Sequence, residues 1–193
     1  MSSTFPAGLI GLISLAAALM APPALAESPN CGATVPNLRN GSFEAPTNPA
    51  NRVTQILTPN AQLVWLNTAE SQIEMWATVF QGVTACDGGQ FVELNSTTPG
   101  TLYQDLTTIP STQMVFSLAH KARNQDGETI IVSAGPPGGT LTQVGRYAAN
   151  KNGTARNGWT LHNGSYTVPA GETTTRFAFQ SDGTTNVAPG SGN

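Results

Sequence analysis

The strongest constraint in this chain is a series of short segments that alternate apolar and polar residues, each stopped by a cluster of turn formers. In Gln113–Lys121, Met114, Phe116, Leu118 and His120 fall on one side, and Val115, Ser117 and Ala119 on the other. A period of two marks a strand with one buried face, because successive side chains of an extended chain point to opposite sides of a sheet. Gln90–Asn95 alternates in the same way, with Val92 and Leu94 opposed to Phe91, Glu93 and Asn95. Further strands are predicted over Arg52–Leu57, Leu63–Leu66, Gln72–Trp76, Thr101–Thr107, Glu128–Ala134, Ser165–Val168 and Thr174–Gln180. Turn clusters such as Asp87-Gly88-Gly89, Asp126-Gly127, Pro136-Pro137-Gly138-Gly139 and Pro169-Ala170-Gly171 bound them. No window of ten or more residues carries a convincing helical period. Regularly spaced short strands of this kind close into one all-β sandwich or barrel.

Composition narrows the partners. Only 10% of the 193 residues are charged and the net charge is −3, against an ordinary charged share of about 25%. Without a cluster of Lys or Arg there is no counterion-release term for DNA or RNA and no polybasic patch for anionic lipid. Nucleic acid is therefore excluded as a partner.

The first residues read as a signal peptide, Met1–Ala26. An apolar run, Gly8–Met20, leads to Ala24-Leu25-Ala26, a small-x-small cleavage pattern. The run is shorter than the ~20 residues that span a bilayer, and Pro22-Pro23 interrupts it, so no membrane insertion of the mature chain is expected. A short lead-in, Glu27–Arg39, would follow. Secretion makes the cysteines readable: Cys31 and Cys86, 55 residues apart, allow one intramolecular disulfide in an oxidising compartment. A zinc site or a catalytic cysteine would need further ligands or an activating histidine at readable spacing, and neither is seen.

A set of motifs then carries a resemblance. Asn40-Gly41-Ser42-Phe43-Glu44 is followed by Trp65, Gln72-Ile73-Glu74-Met75-Trp76 and Asp87-Gly88-Gly89-Gln90-Phe91-Val92-Glu93-Leu94-Asn95. Leu102-Tyr103-Gln104 and Phe116-Ser117-Leu118-Ala119-His120-Lys121-Ala122-Arg123 come next, then Tyr166-Thr167-Val168-Pro169-Ala170-Gly171 and Thr174-Thr175-Arg176-Phe177-Ala178-Phe179. In this order they resemble the galactose-binding-like jelly-roll domain of bacterial secreted proteins, whose relatives include many carbohydrate-binding modules. The resemblance covers Asn40–Asn193. It implies an all-β jelly-roll β-sandwich of two antiparallel sheets, lacking here the last strand, which would begin near Gly192-Asn193. It also implies a structural Ca²⁺, with Glu44 and Asn40 as the part of the site present in this chain. Ca²⁺ takes six to eight oxygens from carboxylates and carbonyls.

Sugar binding needs an aromatic face for pyranose C–H groups and a few fixed polar groups for hydroxyls. Trp65, Trp76, Trp159, Tyr103 and Tyr147 are the candidates. Trp65, Trp76 and Tyr103 lie inside strand patterns and are expected in the core, whereas Trp159 and Tyr147 lie near Gly- and Asn-rich stretches and are expected to be exposed. His120 is expected to be hydrogen-bonded at a strand end, and Arg123 beyond it offers a forked donor to a sugar hydroxyl or to a carboxylate such as Glu93. The carbohydrate-binding set is thus Trp159, Tyr147, Arg123 and His120. No Gly-x-Ser-x-Gly elbow, His-Glu-x-x-His or phosphate loop is present; Glu70, Glu74, Glu93 and Asp105 are the candidates for a glycosidase carboxylate pair, the less expected reading. The expected function is a secreted non-catalytic module for a glycan or cell-envelope polysaccharide. The alternative is a structural surface module with no free-sugar ligand.

Overall fold

The computed structural model describes residues 31, 38–68, 72–94, 100–123 and 125–182. The strands are β1 (Val53–Leu57), β2 (Leu66–Asn67), β3 (Gln72–Ala77), β4 (Gln90–Glu93) and β5 (Thr101–Thr107). They continue with β6 (Gln113–His120), β7 (Glu128–Gly135), β8 (Thr142–Ala149), β9 (Thr160–Thr167) and β10 (Thr174–Ser181). Two 3₁₀ turns, Phe80–Gly82 and Arg156–Gly158, are the helical elements among the described residues. The signal peptide, most of the lead-in, Glu70, Asn95 and the tail after Asp182 lie outside the described residues.

Pairing is antiparallel throughout the described sheets. One sheet runs β2-β5-β10-β7-β8, and the other layer holds β1-β3-β4 and β6-β9. The last six strands pair in a nested way: β5 with β10, β6 with β9, β7 with β8. A long hairpin rolled upon itself gives this nesting, which is the jelly-roll topology that the resemblance implied. The β6–β9 register sets Phe116 opposite Gly164, Leu118 opposite His162 and His120 opposite Thr160. The residues alternating inward from both layers form one core, including Trp65, Ile73, Met75, Val132 and Phe177.

The strand predictions mostly hold, within a residue or two at the ends. Leu63–Leu66 differs: Asn60 Oδ1 accepts the N–H groups of Gln62 and Leu63 at 2.9 and 3.0 Å, so a side chain closes a turn there and only Leu66–Asn67 is extended. Strand β8 was not predicted at all. Its sequence, Thr-Gln-Val-Gly-Arg-Tyr-Ala-Ala, has no clean alternation, and its register to β7 shifts between Val132 and Ser133, which breaks the period. Strand β9 begins five residues earlier than Ser165, with Gly164 in its middle rather than in a turn. A Cβ on Gly164 would stand 2.2 Å from Phe116 Cζ and 2.5 Å from the Tyr147 hydroxyl. Gly164→Ala is therefore expected to destabilise the fold by about 1–3 kcal/mol through overpacking, a loss that denaturant titration would measure.

The expected disulfide is present: Cys31 and Cys86 are bonded, with Cα atoms 5.4 Å apart. It packs with Trp159 as a second, smaller apolar cluster against Val83, Phe91, Ala119 and Ala155. The bond ties the lead-in to the segment just before β4.

Candidate functional site

The outer face of β3 and β4 brings chemistry together. Register places Glu74 opposite Glu93 and Trp76 opposite Phe91, and all four side chains share one face because each pair is two residues apart along its strand. From this face a row of rings runs across the layer. Phe80 stands edge-on to Trp76 at 4.8 Å between centroids, Trp76 is tilted against Phe91 at 5.9 Å, and Phe91 meets Trp159 edge-on at 5.5 Å. Such tilted and edge-on pairs suit the ring quadrupole. Phe80 and Phe91 are half-buried, so the row keeps open ring surface at those two positions.

Arg123, just past the end of β6, lies over this face. Its guanidinium sits 4.5 Å from the Trp76 ring centroid, donates to Glu93 Oε1 at 3.0 Å and donates to Gln81 Oε1 at 2.9 Å. Glu93 is only 6% exposed. Burial pushes its carboxyl up to about 7; Arg123 opposes that shift, and the charge and hydrogen bond of Glu74 add to it. The Glu93 carboxyl thus keeps its proton up to near neutrality. Trp76 Nε1 donates to Glu74 Oε1 at 2.8 Å and fixes the other member of the pair.

A cavity of about 170 Å³ adjoins this face, and Trp76, Phe91, Glu93, Arg123 and Trp159 are among the residues that line it. It forms where β4 and β6 border one another without belonging to a common sheet. Its walls are largely apolar, with Trp65, Phe91, Leu94, Leu118 and Phe179 among them, and His120 lines it too. His120 is 5% exposed, and neither ring nitrogen has a hydrogen-bond partner. Burial, reinforced by His162, lowers its pKa to about 3, so the imidazole is neutral.

The sequence-predicted residues fall into different places. Arg123 is at the site and meets Glu93 as expected. His120 ends its strand as expected, but the hydrogen bond is a correction: it is an unpaired buried ring lining the cavity. Trp159 is also corrected, being 8% exposed with Nε1 donating to Thr84 O at 2.9 Å. The Asn157-Gly158 turn before it folds back on the disulfide, where Asn157 Nδ2 donates to Ala85 O at 2.7 Å. Tyr147 is half-buried rather than open: its ring stacks on His162 at 4.8 Å and its hydroxyl donates to Asn163 O at 2.9 Å. Trp65 and Trp76 are buried as expected. Tyr103 is instead half-buried on the outer face of the five-stranded sheet, under the Arg176 guanidinium at 3.8 Å. The sequence reading missed Phe80 and Phe91, although the alternation of Gln90–Asn95 already set Phe91 on the face of Glu93.

Among the carboxylate candidates, Glu74 and Glu93 face one another across β3 and β4. Asp105 is on the opposite sheet, accepting from Arg176 Nε at 2.7 Å and Nη2 at 2.9 Å. Glu44 accepts the backbone N–H of Gly89 at 3.0 Å and of Gln90 at 3.3 Å. The Asn40 amide donates to the carbonyls of Ala45 and Leu63, and its oxygen accepts from Ala45 N. Both residues are thus engaged with the chain, and no group of three His, Cys, Asp or Glu stands together among the described residues.

The rolled strand order decides the architecture. The chain is a jelly-roll sandwich. No protein-family profile and no curated protein matches it. Solved structures similar to it include the N-terminal CBM22-1-CBM22-2 tandem domain from Paenibacillus barcinonensis Xyn10C, at 11% identity and a TM-score of 0.44 over 73% of this chain and 44% of that one. A CBM4 structure is similar at 14% identity and a TM-score of 0.38, over 74% of this chain and 86% of that one. The enzymatically active domain of bacteriophage CBA120 tailspike protein 4 is similar at 16% identity and a TM-score of 0.34, over 80% of this chain and 20% of that one. Two of these three neighbours are thus carbohydrate-binding modules. The chain spans less than half the length of the tandem domain.

Proposed function

We propose that the chain is a secreted, non-catalytic binding module whose ligand is a glycan or a cell-envelope polysaccharide, held across the outer face of β3 and β4. The observation that carries this reading is the row of rings from Phe80 to Trp159 with the Arg123 guanidinium and the Glu74–Glu93 carboxyls beside it. Aromatic faces meet the C–H side of a pyranose, and planar polar groups in fixed orientation meet its hydroxyls. The disulfide supports export, because such bonds persist in oxidising compartments.

Binding to immobilised plant, fungal and bacterial polysaccharides tests the reading. Phe91→Ala and Arg123→Ala should each weaken retention on the recognised polymer by about tenfold or more, as loss of a central aromatic or arginine contact does, with the melting transition kept. Silence across the whole panel would favour the structural surface module instead.

A further inference from the structure

We propose that this cavity is a binding site for a neutral, hydroxyl-bearing aromatic ring, of which phenol is the simplest member, with His120 as the group that reads the hydroxyl. The cavity shares Trp76, Phe91, Glu93, Arg123 and Trp159 with the face described above; the inference concerns the part that His120 lines and does not rest on the glycan reading.

Three observations define the ligand. The first is size: at about 170 Å³ the cavity is smaller than the ~300–1,000 Å³ of pockets for drug-sized ligands, so it takes a single ring. The second is the walls. Trp65, Phe91 and Phe179 offer aromatic surface that suits a flat ring in tilted or edge-on contact.

The third is His120. A buried polar ring with both nitrogens unpaired is the one feature of the cavity that asks for a partner. A neutral imidazole presents one N–H donor and one acceptor nitrogen, and a hydroxyl both accepts and donates, so one hydroxyl can engage the ring from either tautomer. A carboxylate would want a cationic ring, which burial and His162 oppose here. A purely apolar guest leaves the imidazole unpaired. Thr160 Oγ1 and His162 Nε2 also lack partners, but neither residue lines the cavity, so the reading falls to His120.

The test titrates the full chain with phenol, toluene, benzoate and methyl glucoside, following the histidine ring nitrogens by ¹⁵N NMR and affinity by calorimetry. Phenol should bind about tenfold more tightly than toluene and should move the His120 ring-nitrogen signals. Benzoate and methyl glucoside should leave those signals in place. In His120→Leu the advantage of phenol over toluene should vanish while toluene binding persists; the apolar replacement removes an unpaired buried group and is expected to fold. Should that variant unfold, the response of the ring nitrogens in the unmodified chain decides. Equal affinity for phenol and toluene, ring nitrogens unmoved at saturating phenol, or a His120→Leu chain that keeps the phenol preference would each overturn the proposal. A response to methyl glucoside instead would make the cavity a sugar subsite and overturn it as well.

Discussion

Reduction of the Cys31–Cys86 bond lowers the melting temperature by about 8–16 °C. The bond closes a loop of 55 residues, and in the chain-entropy account a closure of that length stabilises by ~4 kcal/mol, acting on the unfolded chain. For a chain of this size each kcal/mol moves the melting temperature by roughly 2–4 °C. Losing the bond also frees a wall of the Trp159 cluster, since both cysteines pack against that ring. The Cys31→Ser/Cys86→Ser variant should melt with the reduced protein rather than with the oxidised one. Scanning calorimetry with and without reductant measures the difference, and coincident transitions would show that the bond contributes nothing to the fold.

The second large effect is a loss of stability above pH 6 that Glu93→Gln abolishes. The Glu93 carboxyl titrates near 7 in the folded chain against 4.5 as the ordinary value, so between those limits the native state binds more protons than the unfolded one. Its contribution is full below pH 4.5 and is lost as pH rises toward 7 and beyond, by roughly 3 kcal/mol at most. His120 acts in the opposite sense. Its pKa is depressed from 6.5 to about 3, so its contribution is full above pH 6.5 and is lost as pH falls toward 3. The two slopes oppose each other between about 4.5 and 6.5, and stability from these groups is level there and falls on either side. The groups facing Glu93 are Glu74, which raises its pKa, and Arg123, which lowers it; His162 is the group facing His120. Urea titrations from pH 4 to 9 should show the wild type weakening between pH 6 and 8 while Glu93→Gln stays level. Parallel profiles for the two proteins would show that the Glu93 carboxyl does not titrate in this way.

The architecture was legible because it rests on local patterns. Alternation in Gln113–Lys121 named the buried side of β6 residue by residue, and the same rule set Trp76, Phe91, Glu74 and Glu93 on their faces once β3 and β4 were strands. What the pattern could not supply was pairing. Whether Glu74 opposes Glu93 or a neighbour depends on register, which no single strand encodes. Strand β8 escaped because a bulge and Gly145 break its period, and β9 was shortened because Gly164 interrupts its pattern, although the glycine is there to leave room for the Phe116 ring. Trp159 was misplaced for a similar reason: a Gly- and Asn-rich neighbourhood marks a turn, and the turn here folds the indole inward against a disulfide far away in sequence. The link between Arg123 and Glu93 was readable only as a possibility of charge and reach; the fold supplies the distance. The cavity, made by two strand edges that share no sheet, has no sequence signal at all.

Ligand recognition is proposed for the outer face of β3 and β4, and amide chemical-shift mapping with soluble oligosaccharides prepared from the polymer that retains the protein tests it. Shifts are expected to concentrate at Glu74, Trp76, Phe80, Gln81, Phe91, Glu93 and Arg123. Shifts centred instead on Tyr103, Asp105 and Arg176 of the opposite sheet, or spread evenly without a focus, would contradict it.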